Sequence, residues 1–185
     1  MFSIQDKKKL LKLARDSISE VFSENIAAIP QDYRFLQKQG VFVTLKKNNE
    51  LRGCIGFPEA IYPLNKAISI AAKAAAFEDY RFDPLSEKEF SQIKIEISVL
   101  TVPQELKADN PDDYKDKIKI GKDGLIIKHP HGSGLLLPQV PIEWKWDSIQ
   151  FLKQICNKAG LPENFWKDKT AKLYTFQAEI FSEDE

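Results

Sequence analysis

Leu51-Arg52-Gly53-Cys54-Ile55-Gly56 sets a guanidinium, a thiol and two residues without side chains inside one short apolar run. Side chains of an extended strand alternate between its faces. Leu51, Ile55 and Phe57 then share one face; Arg52 and Cys54 share the other, where Gly56 leaves bare backbone. Arginine and thiol are spaced by ~6.6 Å along such a strand. A free thiol has a pKa of about 8.5, so only a few per cent is thiolate near neutral pH. A positive charge ~6 Å away is worth about 0.7 kcal/mol in water and about 2.8 kcal/mol at an effective dielectric of ~20. Arg52 therefore activates Cys54 only in a partly desolvated site. Gly53 and Gly56 would let a ligand approach the backbone. The alternative is structural: cysteine is among the most buried residue types, and strand glycines mark bulges or close packing.

A cysteine nucleophile needs a base, most often histidine. The histidines are His129 and His131, both in one polar turn, so a Cys–His dyad requires that turn to fold over Cys54. Two histidines one residue apart could ligate a metal, but no third ligand stands nearby; no metal and no cofactor are expected. Glu96 lies on the polar face of its strand with Ser98 and is a candidate base or Arg52 partner. Asp79 and Arg81 lie on a loop, where sites are commonly built, and a plain salt bridge is the bland alternative. Gly121-Lys122-Asp123-Gly124 lacks the spacing of a phosphate loop and reads as turn chemistry. Lys7, Lys8 and Lys9 read as a solvated face, and Cys156 as part of an apolar helical stripe.

The elements that must position these residues follow from periodicity. Ser3, with Asp6 three residues on, caps an amphipathic helix running to about Ser23. Gly40 opens a strand over 41–46, Lys47-Asn48-Asn49-Glu50 turns, and residues 51–57 return as the second arm of a hairpin. Two-residue and three-residue loops give different cross-strand partners, so the register stays open. Leu64, Ala67, Ile68, Ala71, Ala72 and Ala75 form a helical stripe suited to close packing on a sheet. A charged, ring-rich loop over 77–86 follows, and Ser86 with Glu89 caps a short helix. Ile93, Ile95, Ile97 and Val99 alternate with polar residues as a half-buried strand. Residues 103–117 read as a linker, 118–127 as a hairpin around Gly121, and 135–137 as an apolar strand. Asp147 caps a helix that Gly160 ends. One last strand runs near 171–181, with Tyr174, Phe176, Ala178 and Ile180 on one face. Short hairpins interspersed with helices predict an α+β fold of antiparallel or mixed sheets covered by helices.

Composition bounds the rest. Hydrophobic residues make up 43% of the chain, enough for a core, and 27 basic residues balance 27 acidic ones. No basic field marks a dedicated nucleic-acid binder, although net charge hides local patches. The excess of Lys and Glu suits a thermophilic source or a biased genome. Two distant cysteines do not make a disulfide framework, and a reduced compartment fits. No run is long and apolar enough for a signal peptide or membrane span, so the expected location is cytoplasmic and without a membrane partner.

The segment 51–56 resembles the signature of the AMMECR-like family, and the likeness extends from about Leu11 to Phe181. Gly40-Val41-Phe42-Val43-Thr44-Leu45 resembles the family's lead-in strand. Asp79, Arg81-Phe82 and Pro84-Leu85-Ser86 resemble its segment after the second helix, with Tyr80 in place of the usual Pro. Ile95 to Leu100, Gly121 to Leu125, Gly134 to Val140, Trp146-Asp147, and Cys156 with Lys158-Ala159-Gly160-Leu161 match in order. The His129-Pro130-His131 turn departs from the pattern, which speaks against a family-wide histidine mechanism. The resemblance implies one unit over 1–185 built as two interlocked α+β lobes. It implies no established activity, but an association with Memo-like and radical-SAM proteins in a modification pathway acting on RNA or another biomolecule. It carries over Arg52, Gly53, Cys54 and Gly56 as the candidate site, with Asp79, Arg81, Glu96 and Gln139 as neighbours. Three alternatives stand: an enzyme component using Cys54 as nucleophile or substrate contact, a protein- or nucleotide-binding module using the same face, and a purely structural segment.

Overall fold

A computed structural model describes residues 2–23 and 26–183. The chain forms two compact units: 1–100 with 179–185, and 101–178. Each is an antiparallel-type sheet with helices, an α+β architecture.

In the first unit, α1 (Ile4–Ser19) begins on a reciprocal Ser3–Asp6 capping box. It ends four residues before the expected point. The amides of Val21 and Phe22 reach back only three residues, to Ile18 and Ser19, and these tighter turns stop the α-helix. The sheet has the order β2-β1-β3-β8, with β1 (Val41–Lys47), β2 (Glu50–Phe57), β3 (Ile93–Leu100) and β8 (Ala178–Ser182). Between β2 and β3 lie α2 (Leu64–Phe77) and α3 (Glu87–Phe90). Val41, Val43, Leu45, Ile93, Ile95 and Ile97 are buried with the apolar faces of α1 and α2 in one core. Fully burying such a side chain is worth about 1.5–3 kcal/mol.

The hairpin loop between β1 and β2 has two residues, Asn48 and Asn49, at φ 52° and 65°. Asparagine tolerates this left-handed region, which a two-residue turn requires at both positions. The register is not uniform. Lys46 faces Leu51 while Leu45 faces Gly53, so Arg52 is the extra residue of a β-bulge. Strict alternation fails there. Leu51 does not join Ile55 and Phe57 on the core face; it lies opposite Lys46 and is exposed.

In the second unit, β4 (Gln104–Glu105), β7 (Lys172–Phe176), β5 (Gly124–His129) and β6 (Gly132–Leu136) form a sheet in the order β4-β7-β5-β6, every pair antiparallel. Helices α4 (Tyr114–Lys117), α5 (Val140–Glu143) and α6 (Ser148–Lys158) complete it. Asp147 caps α6 as expected, Gln150 completes a capping box with it, and Gly160 follows at φ 71°.

Four sequence expectations fail in this part of the chain. The segment 103–117 is not a bare linker; it holds β4, a 3₁₀ turn over Pro111–Asp113 and α4. Residues 118–120 do not pair with 125–127, because the buried Asp123 carboxylate accepts from the Lys119 amide and folds the loop on itself. The hairpin partner of β5 is β6, turning at Pro130 and His131, and β6 starts at Gly132 rather than Leu135. The single C-terminal strand is two: β7 belongs to the second sheet and β8 to the first. Leu173, Phe176 and Phe181 carry the burial there, and Ile180 is exposed.

Candidate functional site

β2 is the outer strand of its sheet, and Cys54 lies at its middle. Cys54 pairs with Thr44 on β1, which pairs in turn with Glu96 on β3. These three residues form a row across the face opposite the buried Leu45, Val43 and Ile97. Cys54 is half-buried, not core, and its sulfur accepts a hydrogen bond from Thr44 Oγ1 at 3.2 Å. Glu96 is held by Lys46 Nζ at 2.7 Å, so it is not the partner of Arg52.

The backbone of Cys54 is gripped from the open side of the strand. Its amide donates to Asp79 Oδ2 at 2.8 Å, and its carbonyl accepts from Arg81 Nη2 at 3.2 Å. Asp79 also accepts from the Arg81 amide at 3.2 Å, from Nε at 2.9 Å and from Nη2 at 2.7 Å. The Arg81 hydrogen bonds hold the buried Asp79 carboxyl well below the usual carboxylate range, against the upward push of burial. The same ion pair raises the Arg81 guanidinium. Asp79 and Arg81 thus sit beside Cys54, as the likeness suggests, but their contacts are to its main chain.

Arg52 faces a different partner. Its Nε and Nη2 donate to Glu89 at 3.3 and 3.2 Å, and Nη2 also donates to the Asp83 carbonyl at 2.9 Å. Nη1 is buried without an acceptor among the described residues. Glu89 gathers Lys47 Nζ at 3.0 Å and the Ser86 amide at 3.4 Å as well. Arg52 first, then Lys47, draws the Glu89 carboxyl down to about 2. The charge that spacing sets near the thiol is therefore compensated by a carboxylate. Phe82 receives both guanidiniums, Arg52 at 5.9 Å and Arg81 at 5.6 Å from its ring centre. Tyr80, between Asp79 and Arg81, is 94% exposed.

Both glycines are explained by packing. A Cβ on Gly53 would lie 2.1 Å from the Ala75 carbonyl oxygen of α2, and one on Gly56 would lie 2.3 Å from the Val41 oxygen and 2.5 Å from the Phe42 ring. Gln139 belongs to the second unit, where its Oε1 is buried without a donor among the described residues. His129 is packed in that unit too. Its Nδ1 accepts from the His131 amide at 3.1 Å, Nε2 lies 3.8 Å from Asp168, and its ring meets Phe165 edge-on. Cys156 is fully buried, and desolvation pushes its thiol up. Among the described residues, no group of three or more His, Cys, Asp or Glu is placed to hold a metal, and no helix is long and apolar enough to cross a membrane.

Sequence reasoning missed Thr44 and Glu89. The register would have found the first. The second had a visible signal, the capping box, but its reach to Arg52 depends on the bulge.

The chain belongs to the AMMECR1 family, whose family model matches residues 11–181. Protein MK0488 of Methanopyrus kandleri is 47% identical over 99% of this chain and 91% of its own length. Protein NEQ441 of Nanoarchaeum equitans is 46% identical over 95% of this chain and 99% of its own. Among solved structures, the crystal structure of the uncharacterized protein PH0010 from Pyrococcus horikoshii superposes with a TM-score of 0.85. It is 45% identical and covers 95% of this chain and 90% of its own.

Proposed function

We propose that this AMMECR1-family chain contributes a binding face, centred on Arg52 and Cys54, to a biomolecule-modification pathway, and that Cys54 touches the bound molecule without acting as a nucleophile. The observation that carries this reading is the partner of the sulfur. Among the described residues the sulfur's hydrogen-bond partner is the Thr44 hydroxyl, not one of the imidazole or carboxylate bases that take a thiol proton in nucleophilic catalysis. Among the described residues, the hydrogen bonds of Cys54 run to Thr44, Asp79 and Arg81, and the last two grip only its backbone. A half-buried thiol on a pinned strand, beside a 43% exposed Arg81 side chain, suits recognition. Memo-like and radical-SAM proteins are the expected partners, on the family resemblance alone.

Alkylation by iodoacetamide tests the thiol. Cys54 should react no faster in the folded protein than in the unfolded chain at the same pH, with buried Cys156 as the inert internal control. A faster folded-state rate overturns the non-nucleophilic role. Titrating isotope-labelled protein with a Memo-like or radical-SAM protein tests the face. Amide shifts should cluster at 52–56 and 79–82; binding that moves only other amides, or no binding to either, overturns the assignment.

A further inference from the structure

We infer that the second unit carries a stacking site for single-stranded nucleic acid at Trp144, independent of the Cys54 face. Trp144 is 67% exposed and Ile142 is 57% exposed, both well above what a core residue shows. The indoles of Trp144 and Trp146 lie nearly parallel, 6.0 Å apart at 20°. This platform is rigid. The amides of Trp144, Lys145 and Trp146 bond back to Val140, Ile142 and Pro141 at 3.1, 3.2 and 2.8 Å. The next residue, Asp147, is fixed as the cap of α6. Lys145, between the two rings, takes φ 54°, a left-handed value that glycine would adopt without strain.

Charge surrounds the rings. A Cβ on Gly121 would come within 3.0 Å of Ile142, so the loop carrying Lys119 and Lys122 borders the same patch. Lys119, Lys122 and Lys145 are exposed, and none forms an ion pair among the described residues. The exposed acidic residues beside the rings are Glu143 and Asp147, the latter engaged as the α6 cap, while Asp123 is buried within its loop. An exposed indole stacks any base, and lysines beside it meet the backbone phosphates, the pairing used by proteins that hold single strands without reading sequence. Other occupants fit less well. Two apolar side chains fall far short of the roughly 800 Å² per partner of a stable interface. Glu143 and a four-residue helix do not suit insertion into an anionic membrane. The net charge of zero agrees with a local site rather than a basic face.

Trp fluorescence reads the site, because Trp166, the third tryptophan, is buried. An eight-residue oligouridylate or oligoadenylate should quench it. Trp144→Ala should weaken binding about 5- to 150-fold. If the three lysines each displace one counterion, affinity should fall roughly 15- to 20-fold between about 50 and 200 mM salt. Lys145→Gly should weaken binding while leaving the fold at least as stable, which separates recognition from folding. Binding unaffected by Trp144→Ala, or no quenching by either oligonucleotide, overturns the inference. So does a Trp144 response that follows protein concentration or anionic vesicles instead, which would assign the patch to a second copy or to a lipid surface.

Discussion

Replacing Asp79 by alanine should loosen the strand edge at Cys54 and leave the second unit untouched. The Asp79 side chain is 2% exposed and accepts four hydrogen bonds, one from the Cys54 amide and three from Arg81. The Cys54 bond ends on an ionised acceptor, a class worth about 1.5–3 kcal/mol. The Arg81 share is smaller, because its side chain is 43% exposed and solvent screens such pairs to about 0–1 kcal/mol. Together these give a loss of about 2–4 kcal/mol for Asp79→Ala. For a chain of this size that is a fall in Tm of roughly 4–16 °C. Thermal and urea denaturation measure the loss, and hydrogen exchange of the Cys54 amide localises it. A loss below about 1 kcal/mol with unchanged exchange at Cys54 would refute the clasp.

Acid provides a second arm of the same test. The folded-state carboxyl of Asp79 lies below its ordinary 3.8. A depressed pKa contributes stability that is complete above the unfolded value and is lost as pH falls toward the folded one. Asp79→Asn cannot titrate. The gap between wild type and Asp79→Asn should therefore stay constant above about pH 5 and shrink below about pH 4. A gap unchanged down to about pH 2 would mean that the ionised form is not what holds the strand.

Glu89→Gln should cost about 1–3 kcal/mol near neutral pH; because Glu89 is drawn from 4.5 to about 2, that cost should fade on acidification through this window, as urea midpoints at several pH values would register. A cost that does not change with pH would deny the carboxylate its role in holding Arg52. Gly53→Ala should cost at least about 1–3 kcal/mol, since the new Cβ meets the Ala75 backbone oxygen at 2.1 Å and α2 must shift. Gly160→Ala meets open space and should lose only about 1–2 kcal/mol from its left-handed backbone, so an equal loss at both positions in chemical denaturation would count against close packing at Gly53.

Local signals were the legible ones. Ser3 with Asp6, Ser86 with Glu89, and Asp147 alone each announce a helix start, and a capping box forms at all three, with Gln150 reciprocating Asp147. Alternation at Ile93, Ile95 and Ile97 reports a face because all three meet one core. Burial of Cys54, its neighbours and the fate of Arg52 were not legible, because they hang on a single inserted residue. Gly53 marks a bulge and close packing alike, so it does not announce which, yet the bulge reverses which side chains share a face. The C-terminal run hid its break for a related reason: Gln177, between β7 and β8, is the only residue separating strands of two sheets. The loop before β5 was misread because Asp123 competes for the Lys119 amide that a strand would have used.

The Asp79–Arg81 pair also limits how a partner can reach Cys54. An outer strand turns half of its N–H and C=O groups toward open space and invites another strand. At Cys54 the carboxylate accepts the N–H and the guanidinium donates to the C=O, as a neighbouring strand would do. Strand addition is thereby blocked at this residue while its backbone is held still. Cys54 as a whole is half-buried. If the proposed face is used, a ligand would approach across the sheet face, where Thr44 and the Lys46–Glu96 pair lie beside Cys54, and not along the blocked edge. Under the proposed binding reading, a molecule that touched the thiol from this direction would meet the Thr44 hydroxyl and the Lys46–Glu96 ion pair beside it, groups suited to polar recognition.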